Sequence, residues 1–243
     1  MDDRLLAKIR SLLAKAENTE FEAEAEAFSD KAMELRARYG IDEALLAASG
    51  EKTDTVTSLV VDIDNPYSYE KAALLTAVAQ SMRCQAIAHM PGRTVTTVTV
   101  VGFTSDLERV NLLYTSLLIQ AISQVIQQKP GTPPQWSGRS VSTVAYRKSW
   151  FAGFNNEVLN RLRETERRAA KQSSPSAGMS TALVLRDRSK VVAQEFSQMF
   201  PNATIGRARR VGSHDGYTNG RVAGERADLG ASRIGAHHRA LPH

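Results

Sequence analysis

The segment TVTTVTVVGF, residues 94–103, decides the fold class of this chain. Its eight consecutive β-branched residues, Thr94 to Val101, favour an extended strand, because such side chains are restricted at χ1 and pack well on a pleated surface. The segment that follows, SDLERVNLLYTSLLIQAISQVIQQ at residues 105–128, is typical of a long helix, and Ser105 with Glu108 fits a capping box at its start. A strand leading directly into a long helix predicts an α+β protein.

Two further strands are predicted on the N-terminal side of this segment. Pro91-Gly92 suits the centre of a type II turn, so RCQAIAH at residues 83–89 is expected to form an antiparallel hairpin with the 94–103 strand. TVTSLVVDI at residues 55–63 is rich in β-branched residues and predicts a third strand, and a helix is predicted from Tyr67 to Met82. The result is a small, mostly antiparallel sheet packed by long helices.

On the C-terminal side, the loop KPGTPPQWSGRS at residues 129–140 marks a sub-boundary near 129–142. A second long helix is predicted from about Thr143 to Lys171, and TALVL at residues 181–185 is predicted as a short strand or extended piece before a short amphipathic helix. The residues expected to face inward on the long helix are Tyr146, Trp150, Phe154, Val158 and Leu162.

The N-terminal segment is predicted to form a two-helix antiparallel hairpin. Leu5, Ile9 and Leu12 lie on one stripe of the first helix, and residues 17–40, ENTEFEAEAEAFSDKAMELRARYG, form the second. Its glutamates fall near the N-terminus, where the helix dipole favours negative charge, and Gly40 is predicted as the C-cap. The expected organisation is a hairpin module at 1–41, a linker at 42–53 and an α+β domain at 54–243.

The run KIRSLLAKAENTEFEAEAEAFSDKAMELRARYGI, residues 8–41, resembles a bacterial and phage family called domain of unknown function 2786. The family signature is a K-I-x-x-L-L-x-x-A-E helix followed by an E-A-E-x-A helix that ends in Y-G-I. VGFTSDLERVNLLYTSLL, YRKSWFAGFNNEVLNRL and ALVLRDRSKVVAQEF resemble the uncharacterised companion region that often follows the hairpin. The resemblance implies a bacterial or phage protein and carries no catalytic residues with it.

Composition excludes several classes of protein. No stretch approaches the ~18 uninterrupted apolar residues of a membrane span, and the opening MDDRLLAKIR lacks the basic start of a signal peptide, so a cytoplasmic protein is expected. The single cysteine, Cys84, excludes an internal disulfide. The chain contains no H-E-x-x-H, paired C-x-x-C or P-loop motif, so neither a metal site nor a cofactor is predicted.

Charge is divided unevenly along the chain. Residues 1–128 hold 18 Asp and Glu against 12 Lys and Arg, whereas residues 129–243 hold 8 against 19. This polarity predicts either an acidic partner for the second half or attraction between the halves.

The arginines of the second half are the basis of the functional prediction. We expect a non-enzymatic protein that contacts the backbone phosphates of DNA or RNA, because arginine presents planar donors that suit phosphate and no aromatic residues interleave for base stacking. The predicted phosphate-binding residues are Arg163, Arg167, Arg168, Arg207, Arg209 and Arg210. The main alternative is a protein-interaction module whose acidic hairpin docks a protein partner or the chain's own basic half.

A third hypothesis is an enzyme with a site near His214 and Asp215. The histidine would act as a general base and the aspartate as its orienting acid. Against it, Asp215 is better interpreted as a helix N-cap for the segment that follows. In that segment Gly216, Gly220 and Gly224 recur near helical spacing, which lets another helix or a phosphate-bearing backbone approach closely, and close packing with a neighbouring helix is the favoured interpretation.

Overall fold

The computed structural model of the chain describes residues 11–12, 22–50, 53–131, 141–172, 180–204, 206 and 210–229. Among these residues the numbered elements, in chain order, are α1 (Glu22–Ala48), β1 (Val56–Asp62), α2 (Ser68–Ser81), β2 (Gln85–His89), β3 (Thr97–Phe103), α3 (Thr104–Val125), α4 (Thr143–Gln172), α5 (Thr181–Met199) and α6 (His214–Glu225). Helices and a small sheet together confirm the predicted α+β class.

The sheet has three strands in the order β1-β3-β2, and both pairings are antiparallel. Thr99 at the middle of β3 lies opposite Val60 of β1 and Ile87 of β2. The strand that the β-branched run predicts is therefore the central one. From Val98 to Gly102 every residue of β3 is buried, which places covering elements on both faces of the sheet.

The main core lies on one face of the sheet, where α2, α3 and α4 pack. Trp150 and Phe154 of α4 stack with ring centroids 5.2 Å apart, an arrangement that adds to the burial of two large apolar surfaces. The inward face predicted for α4 is confirmed, because its five members, Tyr146, Trp150, Phe154, Val158 and Leu162, are all buried. Helix α5 contacts the sheet as well and carries Arg188 over the ring of Phe103.

Helix α1 extends beyond its predicted end. Gly40 lies inside the helix, which continues to Ala48, so the predicted C-cap at Gly40 is wrong. The physical reason is packing. Ile41, Ala44 and Leu45 are buried in a second apolar cluster with residues of α4 and α5, and this burial stabilises the additional turns of the helix. The first helix of the predicted hairpin lies outside the described residues, apart from Ser11 and Leu12, which are helical.

Three other local predictions are wrong, and the first reflects tertiary packing. Residues 181–185 are the first turn of α5, not a strand, since Val184, Leu185, Arg188 and Val192 are buried at helical spacing. Ser105 does not cap α3; the N-cap position is Phe103. Asp215 does not cap α6 either.

The N-cap of α6 is Ser213, whose hydroxyl oxygen accepts a hydrogen bond from the Gly216 backbone N–H at 3.1 Å. Asp215 lies in the first turn, where its charge still complements the helix dipole.

The glycine ridge of α6 packs against α4, as predicted. A Cβ at Gly220 would overlap the carbonyl oxygen of Trp150, and a Cβ at Gly153 of α4 would overlap the carbonyl oxygen of Tyr217. Further along, Arg161 of α4 donates to the carbonyl oxygens of Gly224 at 2.8 Å and Ala227 at 2.7 Å. The two helices therefore meet backbone to backbone and run parallel.

We predict that Gly220→Leu lowers the free energy of unfolding by about 1 to 3 kcal/mol, because any side chain there must push the backbone of α4 away. Gly92→Ala is the matched control, since a Cβ at Gly92 meets nothing within 4 Å. Urea denaturation followed by circular dichroism measures both variants. Equal stability of Gly220→Leu and the wild type would contradict the close contact.

Candidate functional site

Six charged side chains are brought together between the sheet and helices α3, α4 and α5. Their exposed fractions range from 3% to 15%, and positive and negative charges are equal in number. We call this group the buried charge cluster; its members are Asp54, Arg83, Asp106, Arg109, Glu166 and Arg188. Asp106 and Arg109 both belong to α3, and each of the other four comes from a different part of the chain. The cluster therefore connects these parts to one another.

Glu166 of α4 is the carboxylate shared by two arginines. Its Oε1 accepts from Nη2 of Arg109 in a short contact, and its Oε2 accepts from Nη1 of Arg83 at 3.0 Å. Arg109 also donates to Asp106 at 3.2 Å. Burial disfavours the Arg109 cation, but Glu166 and Asp106 outweigh it and raise the pKa of the guanidinium.

Arg188 of α5 completes the other side of the cluster. Its Nη2 donates to Asp54 at 2.7 Å and to Asp106 at 3.2 Å, and its guanidinium carbon lies 3.6 Å from the ring centroid of Phe103. Ser105 donates its hydroxyl to Asp54 at 2.7 Å. Burial alone raises the pKa of Asp54, but the hydrogen bonds from Arg188 and Ser105 hold it below its ordinary value.

The end of α1 sits directly on this cluster. A Cβ at Gly40 would overlap the guanidinium of Arg109, so the residue is glycine because the arginine occupies that space. Tyr39 is hydrogen-bonded to Glu43, and burial together with this carboxylate raises the tyrosine pKa. The Y-G-I end of the hairpin signature therefore has a structural task, which is to dock α1 on the charge cluster and the neighbouring apolar cluster.

The buried charge cluster has the chemistry of a structural tie. Every carboxylate in it accepts from at least one arginine, so none is placed as an unpaired general base. Cys84 lies next to it, and burial and the charge of Asp106 raise the thiol pKa to about 12, which disfavours the nucleophilic thiolate. Within the described residues, no group of His, Cys, Asp and Glu has the arrangement of a metal site.

The predicted phosphate-binding arginines of α4 are solvent-exposed. Arg167 and Arg168 both pair with Glu164, at 2.8 and 2.9 Å, and the hydrogen bond from Arg168 lowers the pKa of that carboxyl. Arg163 is exposed and makes no ion pair within the part of the chain that the structure describes. Lys171, which the sequence prediction omitted from the site, is exposed and unpaired among the same residues.

Arg210, the one described member of the second predicted arginine group, lies near the other end of α4. Arg210 is exposed and precedes Gly212, which faces Ala145 at the start of α4; Arg207 and Arg209 lie outside the described residues. From Ala145 to Arg163 the helix rises about 27 Å. Arg210 and Arg163 are thus separated along the length of one helix.

His214 and Asp215 are exposed in the first turn of α6 and lie far from the buried carboxylates. Their neighbour Gly216 faces Tyr146 of α4, and the helix rises about 30 Å from Tyr146 to Glu166 of the buried charge cluster. The structure does not bring the pair to those carboxylates.

A groove of about 560 Å³ separates α1 from the C-terminal half of α4. Its charged lining is balanced between Lys31, Arg161 and Arg168 on one hand and Glu34, Glu157 and Glu164 on the other. Each of the two helices supplies equal numbers of acidic and basic side chains to this lining, so attraction between the halves of the chain stays a prediction. No described helix has both the length and the apolar character needed to cross a membrane.

Residues 4–43 match a family model described as a protein of unknown function (DUF2786). The match agrees with the resemblance noted in the sequence, includes Tyr39, Gly40 and Ile41 of α1, and brings no activity with it. It does not extend to the segments that resemble the companion region, so that resemblance stays a prediction. Comparison with curated proteins and with solved structures gave no match.

We predict that Glu166→Ala lowers the free energy of unfolding by about 3 to 5 kcal/mol, because it leaves Arg109 and Arg83 buried without their shared carboxylate. Glu164→Ala, two residues away on the exposed side of α4, is the control and should change stability little. Chemical denaturation of both variants measures the difference. Similar stability of the two variants would contradict the tie between α3 and α4.

The lowered pKa of Asp54 predicts a pH dependence. A carboxyl whose folded-state pKa lies below its unfolded value stabilises the protein above the unfolded pKa, and this contribution is lost as pH falls through the folded-state value. We expect the free energy of unfolding to decline below about pH 4, and to decline less steeply in Asp54→Asn. Unfolding measured from neutral pH downward tests this, and parallel pH profiles would contradict it.

Proposed function

We propose that the chain is a cytoplasmic, non-enzymatic protein that associates with nucleic acid through phosphate contacts of its basic C-terminal half. The observation that carries the proposal is the exposed face of α4, where Arg163, Arg167 and Lys171 recur every four residues. This spacing aligns the three cations along about 12 Å of helix.

The local charge of this face supports the proposal. Glu164 is the carboxylate that accepts from Arg167 and Arg168, and both ion pairs are solvent-exposed. Such pairs contribute little free energy, so the phosphates of a polyanion can replace the Glu164 carboxylate as partner of the two arginines. Glu166, the other acid of this segment, is buried and engaged by Arg109 and Arg83. The remaining cations therefore outnumber the available carboxylate on the surface of α4.

Arg207, Arg209 and Arg210 are proposed as a second contact group. Arg210 lies near Gly212, which faces Ala145 of α4. The distance of about 27 Å along α4 from Ala145 to Arg163 corresponds to roughly eight phosphate steps of about 3.4 Å along one strand. A duplex or single strand of ordinary length spans that distance, so the two groups need not converge on one spot to act on the same molecule.

Contacts of this kind set the expected binding behaviour. Phosphates are the same in every sequence, so unrelated duplexes should bind with similar affinity and DNA and RNA should both be ligands. Release of condensed counterions should weaken binding steeply with salt, with a log–log slope of about −0.9 per phosphate neutralised on duplex DNA.

We predict that Arg163→Ala with Arg167→Ala reduces the salt slope by up to about 2 units, if each arginine neutralises one phosphate. Replacing Arg207, Arg209 and Arg210 together should reduce it by up to about 3 units. Fluorescence anisotropy with labelled DNA and RNA, from low to physiological salt, measures the slopes.

The matched control is Arg93→Ala with Lys129→Ala. These two exposed cations lie outside α4, and their loss lowers the net charge as much as the α4 double variant does. An equal reduction by the control would show that only net charge matters. Absence of binding at low salt would remove the nucleic-acid proposal and favour the protein-interaction alternative through the acidic hairpin.

A further inference from the structure

Helix α3 has a ridge of large apolar side chains on its solvent side. Leu112, Ile119 and Ile126 are 58%, 53% and 56% exposed. Ile126 follows the last residue of the helix and keeps helical backbone angles, φ −63° and ψ −27°. Because the three residues are seven apart, they lie close to one line along the helix surface. We call this line the α3 ridge.

The part of α3 that carries the ridge has no charged residue of its own. From Val110 to Gln128 the sequence contains no Asp, Glu, Lys or Arg, although 23% of the chain is charged. The exposed residues beside the ridge, Asn111, Thr115 and Ser123, are polar and neutral. A helix face that remains in water normally carries charged side chains, so this composition suits a surface that is covered.

We propose that a second copy of this chain covers the α3 ridge, as an antiparallel pair of α3 helices related by a two-fold axis at Ile119. The spacing supports this arrangement, since Leu112 and Ile126 are each seven residues from Ile119. Rotation about an axis there places Ile119 against its own mate and Leu112 of one protomer against Ile126 of its partner. The surface is thus complementary to itself, as an isologous contact requires.

Charge at the ends of the α3 ridge supports the same occupant. Glu108 is exposed just before the first ridge residue, and beside Ile126 lie the exposed Lys129 and the half-buried Arg147, whose guanidinium donates to the Ile126 carbonyl oxygen. The two-fold pair about Ile119 brings Glu108 of one protomer to the Lys129 end of its partner's ridge, so opposite charges meet there. Two copies of a chain with a net charge of +5 repel each other over most of their surfaces, but α3 itself adds no like-charge contact from Val110 to Gln128.

The first experiment is sedimentation velocity over a range of protein concentrations. The wild type is expected to form a dimer, and Ile119→Glu to shift the protein to monomer at every concentration while circular dichroism stays unchanged. Leu183→Glu is the control, because Leu183 is a 46% exposed apolar residue on α5. A monomeric wild type, or a dimer that Ile119→Glu leaves intact, overturns the proposal.

Cysteine cross-linking tests the arrangement itself. In full-length protein with Cys84→Ser, a short bismaleimide should link Ile119→Cys to its own mate, and should link Leu112→Cys only when it is mixed with Ile126→Cys. Self-linking of Leu112→Cys overturns the antiparallel pair, since its two copies should lie about 21 Å apart along the helix.

The remaining occupant to test is the chain's own C-terminus. Asp228 is bonded to Gln120 of α3 through its backbone N–H and carbonyl oxygen, both at 2.8 Å, so the described part of the chain ends, at Leu229, close to the same helix. Deletion of residues 230–243 should leave the dimer in place. A full chain that is monomeric and a shortened chain that dimerises would assign the ridge to the C-terminus and overturn the proposal.

Discussion

The ion pairs of Glu166 with Arg109 and Arg83 are the interaction on which the arrangement of helices depends. Through them α4 is held against α3 and against the turn before β2, and through Asp106 the same cluster reaches Arg188 of α5. Burying six charges is costly, and the cost is offset only when every partner is in place. The cluster therefore demands one relative position of the helices, whereas the apolar contacts around it tolerate small shifts.

Helix α4 is the element that packs against most other parts of the fold. One side carries Trp150 and Phe154 into the main core, another meets the backbone of α6, and Glu166 and Ala169 serve the charge cluster and the second apolar cluster. The side that remains in water holds Arg163, Arg167 and Lys171. Its proposed role in binding phosphate thus falls on the part of the helix that packing leaves free.

Sequence reasoning succeeds where local chemistry decides. The β-branched run predicts β3, the apolar spacing predicts the inward face of α4, and the glycine spacing of α6 predicts a close helix contact.

Sequence reasoning fails where distant partners decide. Gly40 is set by the Arg109 guanidinium, Ser105 is engaged by Asp54, and residues 181–185 are helical because α5 packs on α1 and α4. The charge cluster went unpredicted for the same reason, although Arg188, four residues after Val184 on a buried stripe, is a visible signal. The exposed α4 arginines were predictable as residues, but their separation from Arg210 depends on how α6 lies along α4.

The backbone contact between α4 and α6 has a consequence for how the two helices can slide. Because Gly216, Gly220 and Gly224 recur every four residues, a shift of α6 by a full turn brings another glycine to Trp150, whereas a smaller shift drives a side chain into the backbone. The helix therefore has a few discrete registers rather than a continuous range. Arg161 selects one of them by donating to the carbonyl oxygens of Gly224 and Ala227, because a shift to another register would break these two hydrogen bonds.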